Sequence, residues 1–372
     1  AFLNTEVINV LYPKDDIPVL PKKYDDGQEV EPKYFIPVLP MPILEMNKSV
    51  SYAWCLLSYP RDITAVCKLL IKLCKGEEIT DADKLLPPHT RNYTGEITII
   101  DNIVSMKGVY KLEGRSVYIS ELPFTVTPQK YHLSMVDDEN VVDVMNNTTD
   151  SVQIKIEFKV GALEKIHKKY SKPAVKGGEP PEDPLRDFLK IDATMNENFN
   201  FINEDNVIEH FDTAYDVLYR CFMLNQKKYK MKIDREILLL TYYILCEENI
   251  IHFIDCDEIE RVKRKSIAMM DETLKEDKFI EINTTALNTH MKYTTEELNE
   301  LLTNDSKCSY SYLHSIRVSD VSNEELIKRT KKLEEYEKRK KELEKMLKEK
   351  PFPGAKQYMK DIKHCHDQLI KL

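Results

Sequence analysis

Two helical stretches of matched length bracket an apolar block, and this arrangement limits the fold more than any other feature of the chain. From Asn206 onward, Val207, Phe211, Ala214, Leu218 and Cys221 follow three-four spacing. In residues 322–349, Leu326, Leu333, Tyr336, Leu343 and Leu347 form a narrow stripe in a Lys/Glu background, and Ser322 with Glu325 reads as a capping box. At 1.5 Å rise, residues 206–230 span about 38 Å and residues 324–349 about 39 Å, which suits an antiparallel pair of arms. The segment between them carries Ile237, Leu238, Leu239, Leu240, Ile244, Leu245, Ile250 and Ile251 and folds at the far tip. A thin stripe covers one partner helix and little else. The tip is therefore expected to leave an association patch, which predicts a two-fold homodimer through residues 231–320. Pro351-Phe352-Pro353-Gly354 ends the outgoing arm, and residues 350–372 return as a short helix.

The N-terminal half obeys other periods. In Glu31 to Leu44 (EPKYFIPVLPMPIL) prolines alternate with apolar residues; each removes a backbone donor and biases its predecessor toward extended geometry, so the segment reads as a rigid ribbon. A helix is predicted from Arg61 to Lys75, with Ile63, Val66, Leu69, Leu70 and Leu73 on one face. Residues 93–160 switch to period two through Ile97, Ile99, Val109, Val117, Ile119, Ile154, Ile156 and Phe158, which predicts an antiparallel sheet. Val117 to Tyr131 is a β-branched and aromatic run halted at Glu121-Leu122-Pro123, and Lys172 to Asp183 has loop composition.

At 372 residues the chain is too long for one ordinary core. A net charge of -9 argues against a generally basic surface, yet a local groove of Lys and Arg suffices to attract phosphates. Glycine is scarce, at 9 residues, and neither a Walker-type loop nor a dinucleotide fingerprint occurs, so no ATP site is expected in this chain. Eight cysteines without Cys-x-x-Cys spacing suit buried thiols in a reducing compartment. No run approaches the roughly 18 apolar residues of a membrane helix and no leader pattern opens the chain, so no membrane partner is expected.

The ribbon Gly27-Gln28-x-x-Glu31-Pro32-x-Tyr34-x-x-Pro37-x-x-Pro40, followed by Ile119-x-Glu121-Leu122-Pro123, resembles the DNA-gate core of eukaryotic-type type IIA DNA topoisomerases, with the divergence of a viral outlier. Asp15, Asp16 and Asp26-Gly27-Gln28 resemble the family's acidic turn, and Trp54 falls on the tryptophan after its glycine-rich loop. The resemblance continues through Val152 to Phe158 and the charged helix after Glu324. It implies a mixed α/β multidomain chain: the end of a winged-helix lobe (1–88), a β-rich tower (89–205), coiled-coil arms (206–230 and 321–349), a helical C-gate dimerisation domain (231–320) and a return helix (350–372). It further implies an intracellular enzyme, in the host cytoplasm if viral and the nucleus if cellular, that uses ATP and Mg2+ to pass one DNA duplex through a transient break in another. A competing reading is a non-enzymatic coiled-coil scaffold with a dimerising tip.

The family cuts DNA with a tyrosine in a Pro-Arg-Tyr context. None of the 20 tyrosines here has that context, Tyr12 included, and motif order places the nucleophile before Ala1. This chain is accordingly read as a fragment with no catalytic residue, no metal site and no cofactor of its own, contributing DNA bending and the exit gate. Asp255-Cys256-Asp257 and His364-Cys365-His366 read as a solvated turn and a mixed helix face. Two segments are the expected surface for double-stranded DNA. In the place of the family's glycine-rich loop, Lys48, Ser49, Ser51 and Trp54 could meet the DNA backbone. In Lys107 to Arg115, the cations Lys107, Lys111 and Arg115 surround Val109 and Leu112, either of which could wedge between base pairs.

Overall fold

The computed structural model describes residues 5–51, 54–90, 93–100, 103–171, 183–255, 265–317 and 321–371. The chain is mixed α/β and divides into two compact units: Ala1–Leu39, Cys67–Ile79 and Tyr219–Leu372 make the first, Pro40–Val66 and Thr80–Leu218 the second.

In the first unit a two-residue hairpin, β1 (Tyr24–Asp25) and β2 (Gln28–Glu29), turns through Asp26 and Gly27. Their φ values of 45° and 78° are the paired positive angles that Asp-Gly supplies to a tight hairpin. The ribbon follows, and its donor-poor backbone is held by its carbonyls. Lys228 Nζ donates to Ile36 O at 2.8 Å, Asn225 Nδ2 to Pro37 O at 3.1 Å and Tyr358 Oη to Val38 O at 3.0 Å. Lys228 is buried, and Asp16 Oδ2 lies 2.8 Å from its ammonium. Burial still lowers the Lys228 pKa, the attraction of Asp16 opposing it. Beyond Leu39 the expected extended run ends early: Met41–Leu44 forms one helical turn, which tolerates Pro42 because first-turn amides need no intrahelical acceptor.

The arms differ from expectation in start and partner. Residues 208–211 are a strand, and the helix begins at Ala214, where Thr213 and Asp216 exchange hydrogen bonds between side chains and backbone amides. It then runs unbroken to Asp255, 42 residues or about 63 Å. The outgoing helix, Asn323–Leu347, lies against the part expected to belong to the tip: Arg339 bonds Glu236 at 2.8 Å, Arg329 and Lys332 bond Glu247 at 2.9 and 2.7 Å, and Tyr336 packs on Tyr243. Ile233, Leu240 and Leu343 are buried in this seam. At its start Ser322 accepts from the Glu325 amide at 3.3 Å, while the Glu325 carboxylate turns to Lys328, so only half of the expected box forms. The stretch before Lys230 serves the C-terminus instead, with Phe222 edge-on to Phe352 and Tyr229 against Tyr358 on the helix Ala355–Ile370.

The tip is a globule with its own core. Cys246, Ile250, Phe253 and Ile254 of the long helix pack with Leu274, Phe279, Ile282, Leu287, Leu298, Leu302 and Leu313. Most of the apolar density expected to need a second chain is thereby buried within one. Ile267, Met269, Ile280 and Met291 remain exposed. Lys22 ties the β1/β2 hairpin to this globule through Glu297 at 2.9 Å and Lys292 O at 2.7 Å. By length and composition Ala214–Asp255 is long and apolar enough to cross a bilayer. Its apolar residues line the seam and the tip core, as those of a core helix do.

The second unit holds eleven strands among the described residues: β3 (Asn47–Ser51), β4 (Trp54–Ser58), β5 (Ile97–Ile100), β6 (Ile103–Lys107), β7 (Val109–Glu113), β8 (Ser116–Glu121), β9 (Val141–Asn146), β10 (Ile154–Phe158), β11 (Asp192–Asn196), β12 (Phe199–Ile202) and β13 (Ile208–Phe211). Period two gives two sheets where one was expected: an antiparallel β7-β8-β10-β9 and a three-stranded β11-β6-β5. Val117, Ile119, Ile154 and Ile156 point to one face of the first, under Tyr131, Ile166, Phe188 and Leu189 from three short helices. The helices cover only that face.

Candidate nucleic-acid interface

The segment expected to be a loop is a β-hairpin. Ser49 lies opposite Leu56, Val50 opposite Cys55 and Ser51 opposite Trp54. Alternation puts Lys48 and Val50 on one face and Ser49 and Trp54 on the other. The hairpin is anchored at its base and along β4. Asn47 Nδ2 donates to Pro42 O and Glu45 O, Asn200 Nδ2 donates to Cys55 O at 2.7 Å, and Leu57 and Asn198 exchange backbone hydrogen bonds.

Just past β4 sits a buried ion pair. Arg61 Nη1 and Nη2 grip Glu197 Oε1 and Oε2 at 2.8 and 2.6 Å, with both side chains below 5% exposure. Glu197 Oε1 also accepts the Tyr59 amide at 2.9 Å, and the guanidinium lies over the Phe199 ring. This fork, joining the end of β4 to the start of β12, fixes the hairpin on a rigid base.

At the free end Val50 is 75% exposed and Trp54 47%, with Lys48 and Ser49 also exposed. The side chain of Ser51 lies outside the described residues. Lys48 forms no ion pair with any described residue. Val50 and Lys48 thus lie two residues apart on one exposed face of the hairpin.

The second segment forms the end of β6, the edge strand β7 and its turn. Gly108 is required between the strands: its amide donates to Ile191 O at 2.9 Å, and a Cβ there would lie 2.7 Å from that oxygen. Gly114 (φ 61°) and Arg115 make the two-residue turn into β8. The three cations here are each matched by an acid: Lys107 with Glu96 at 2.9 Å, Lys111 with Glu113 at 2.7 Å and Arg115 with Glu157 at 3.8 Å. Hydrogen bonds donated to Glu96 and Glu113 raise the pKa of Lys107 and Lys111. Val109 and Leu112 are exposed at 37% and 45%, but Leu112 lies opposite Val117 on the core-facing side, and Val109 sits at a bulge rather than at the turn. Of the apolar residues in the two segments, Val50 projects furthest. Sequence alone does not single it out, although Asn47-Lys48-Ser49-Val50-Ser51 facing Trp54-Cys55-Leu56-Leu57 has the alternation of a strand pair.

The remaining candidates resolve simply. Glu121 accepts from the Thr94 amide and hydroxyl, and Phe124 packs on Tyr59 and Tyr93, so the Glu-Leu-Pro turn is an anchor beside a 440 Å³ cavity. Glu121 and Asp150 line that cavity, which suits no phosphate. Tyr12 stands edge-on to Phe35. Cys365 is buried against Val10 O and its thiol is pushed up to about 12, unsuited to metal ligation as a thiolate. Cys256 and Asp257, like residues 172–182 of the expected loop, lie outside the described residues.

Comparison with known proteins assigns the class. The profile of the DNA gyrase/topoisomerase IV A-subunit family matches residues 4–361, so the chain belongs to that family of type II DNA topoisomerase proteins. Among individual relatives, it is 25% identical over 388 residues to DNA topoisomerase 2 of African swine fever virus (isolate Tick/South Africa/Pretoriuskop Pr4/1996), covering 99% of this chain and 32% of that protein. DNA topoisomerase 2 of Drosophila melanogaster is 25% identical over 236 residues, covering 58% of this chain and 15% of that protein. The chain thus spans about a third of the length of the full-coverage relatives it matches. Its fold is similar to the Plasmodium falciparum topoisomerase II DNA-binding, cleavage and re-ligation domain, with a TM-score of 0.70 at 17% identity, over 98% of this chain and 48% of the other.

Proposed function

We propose that this chain is the part of an ATP-dependent type II DNA topoisomerase that bends the cut duplex and closes the exit gate, within an enzyme that relaxes and decatenates DNA by passing one duplex through a double-strand break in another. Residues up to about 88 would complete a winged-helix lobe, the two sheets of the second unit a tower, the paired helices the arms, and the helical globule a dimerising C-gate in a homodimer. The observation that carries the reading is the β3/β4 hairpin, which holds an exposed Val50 beside Lys48 on the base made by Arg61 and Glu197. An apolar wedge pushed into a base step unstacks it at a cost of a few kcal/mol, and bending returns that energy by bringing more protein against the phosphates. Val50 fits the wedge better than Val109 or Leu112, while Lys107, Lys111 and Arg115 would exchange their glutamate partners for phosphates.

Among the described residues, no group of three or more His, Cys, Asp or Glu side chains is placed to hold a metal ion. None of the chain's tyrosines follows Pro-Arg, so the chain alone should bind duplex DNA and leave supercoiled plasmid uncut in magnesium. Fluorescence anisotropy against salt tests the surface. Lys48→Glu should lower duplex affinity and reduce the log-log slope by about 0.9, as loss of one phosphate contact requires. An unchanged slope would remove the hairpin from the DNA surface, and a linear plasmid product would mean a nucleophile is present.

A further inference from the structure

The face of the β7-β8-β10-β9 sheet turned away from its helices carries an unusual row. Tyr118, on an inner strand, lies directly opposite Lys111 on one side and Lys155 on the other, and Lys155 lies opposite Met145. Tyr118 is 40% exposed and its hydroxyl is tied by no hydrogen bond among the described residues, while the Lys155 ammonium stands 5.9 Å from the ring centroid. We propose that this row is a stacking platform for single-stranded nucleic acid: one unpaired base lies on the Tyr118 ring, and the Lys111 and Lys155 ammoniums meet the phosphates on either side of it.

The occupant follows from the chemistry. Inside a duplex both faces of a base are covered by its neighbours, so an exposed aromatic ring on the sheet can stack only on a base that has left the helix. Strands lie about 4.8 Å apart, which puts Lys111 and Lys155 about 10 Å apart across the tyrosine, room for one base between two cations. Lys111 is paired with exposed Glu113, a solvated surface ion pair that a phosphate would replace. The next row, Glu113, Glu157 and Asp143, is acidic and would confine the strand to the Lys111-Tyr118-Lys155 line. The platform shares Lys111 with the duplex surface proposed above, whereas Tyr118 and Lys155 belong to the platform alone, so variants at those two residues separate the two readings.

The test uses the 372-residue chain with two fluorescent probes, a 20-nucleotide oligothymidine carrying one central 2-aminopurine and a mixed-sequence duplex. Binding of the single strand should quench 2-aminopurine. Tyr118→Ala should abolish the quench and weaken single-strand affinity about 5- to 150-fold, the range for loss of one stacked base. Tyr118→Phe, which keeps the ring, should stay within about twofold of the parent, and Lys155→Gln should reduce the single-strand salt slope by about 0.7. Duplex affinity should be unchanged by Tyr118→Ala. The proposal is overturned if the chain does not bind the single strand, if Tyr118→Ala binds it as the parent does, if Tyr118→Phe loses as much as Tyr118→Ala, if the slope survives Lys155→Gln, or if duplex affinity falls in parallel.

Discussion

Replacing Arg61 probes whether the β3/β4 hairpin rests on a rigid base. Arg61→Met leaves the Glu197 carboxylate, less than 5% exposed, without a counter-charge and with only the Tyr59 amide to solvate it. Removing one partner of such a pair costs about 3–5 kcal/mol, because the remaining charge stays desolvated. The assay is built into the chain: Trp54 is the only tryptophan and lies on β4, so its fluorescence reports unfolding of the unit that holds the pair. With a urea slope of about 2 kcal/mol/M, the Trp54 midpoint should fall by about 2 M. Glu197→Leu should do the same. The double variant Arg61→Met/Glu197→Leu should lose less than the sum of the two single changes, since no buried charge remains and what is left is the Tyr59 amide without its acceptor and the Tyr59 carbonyl without the Arg61 Nη1 donor, about 1–3 kcal/mol each. Single shifts under about 0.5 M, or a double variant showing the sum of the two, would refute the assignment of this pair as the hairpin's base.

Three further outcomes follow from particular residues. Burial, and then the nearby Arg235, lower the His290 pKa below 6.5, so the unfolded chain takes up its proton first as pH falls: stability should be full above pH 6.5 and decline below it, and His290→Gln should flatten that decline in urea midpoints measured at pH 7.5 and 5.5. Met269→Asp or Ile267→Asp, at exposed sites of the tip globule, should convert a dimer to a monomer in light scattering at micromolar concentration without loss of helical circular dichroism; a monomeric parent would defeat the gate reading. Gly354→Ala should cost about 1–3 kcal/mol in thermal unfolding, because φ is +77° and the new Cβ would lie 3.0 Å from Ile233, whereas Gly27→Ala, with φ +78° but open space, should cost less.

The sequence was most legible where local chemistry and tertiary packing agree. The amphipathic stretch predicted from Arg61 forms a helix from Ile63 to Lys75, started by Asp62 accepting from the Thr64 and Ala65 amides. Prolines announced the ribbon, but not that Lys228, Asn225 and Tyr358, distant in sequence, would satisfy its carbonyls. The arm register was misread because the spacing of Val207, Phe211 and Ala214 fits a helix equally well as a strand followed by a helix start; the deciding signal was Thr213 three residues before Asp216. The tip was misread because the long helix uses two faces, one for Leu343 and one for the globule, and linear periodicity shows no second partner. At the candidate interface, basic residues drew attention to Lys107, Lys111 and Arg115, and only coordinates reveal that each has a glutamate neighbour while Lys48 has none among the described residues.

DNA bending by Val50 is the most direct test of the account. A duplex of about 30 base pairs, labelled at its two ends with a donor and an acceptor, should show increased energy transfer when the chain binds, as expected for a kink of about 20–90° from a wedged base step. Val50→Ser should bind with the same salt slope, since no charge changes, and should leave energy transfer at the level of free DNA. A bend that persists undiminished in Val50→Ser, or no bend with the unaltered chain, would contradict the account.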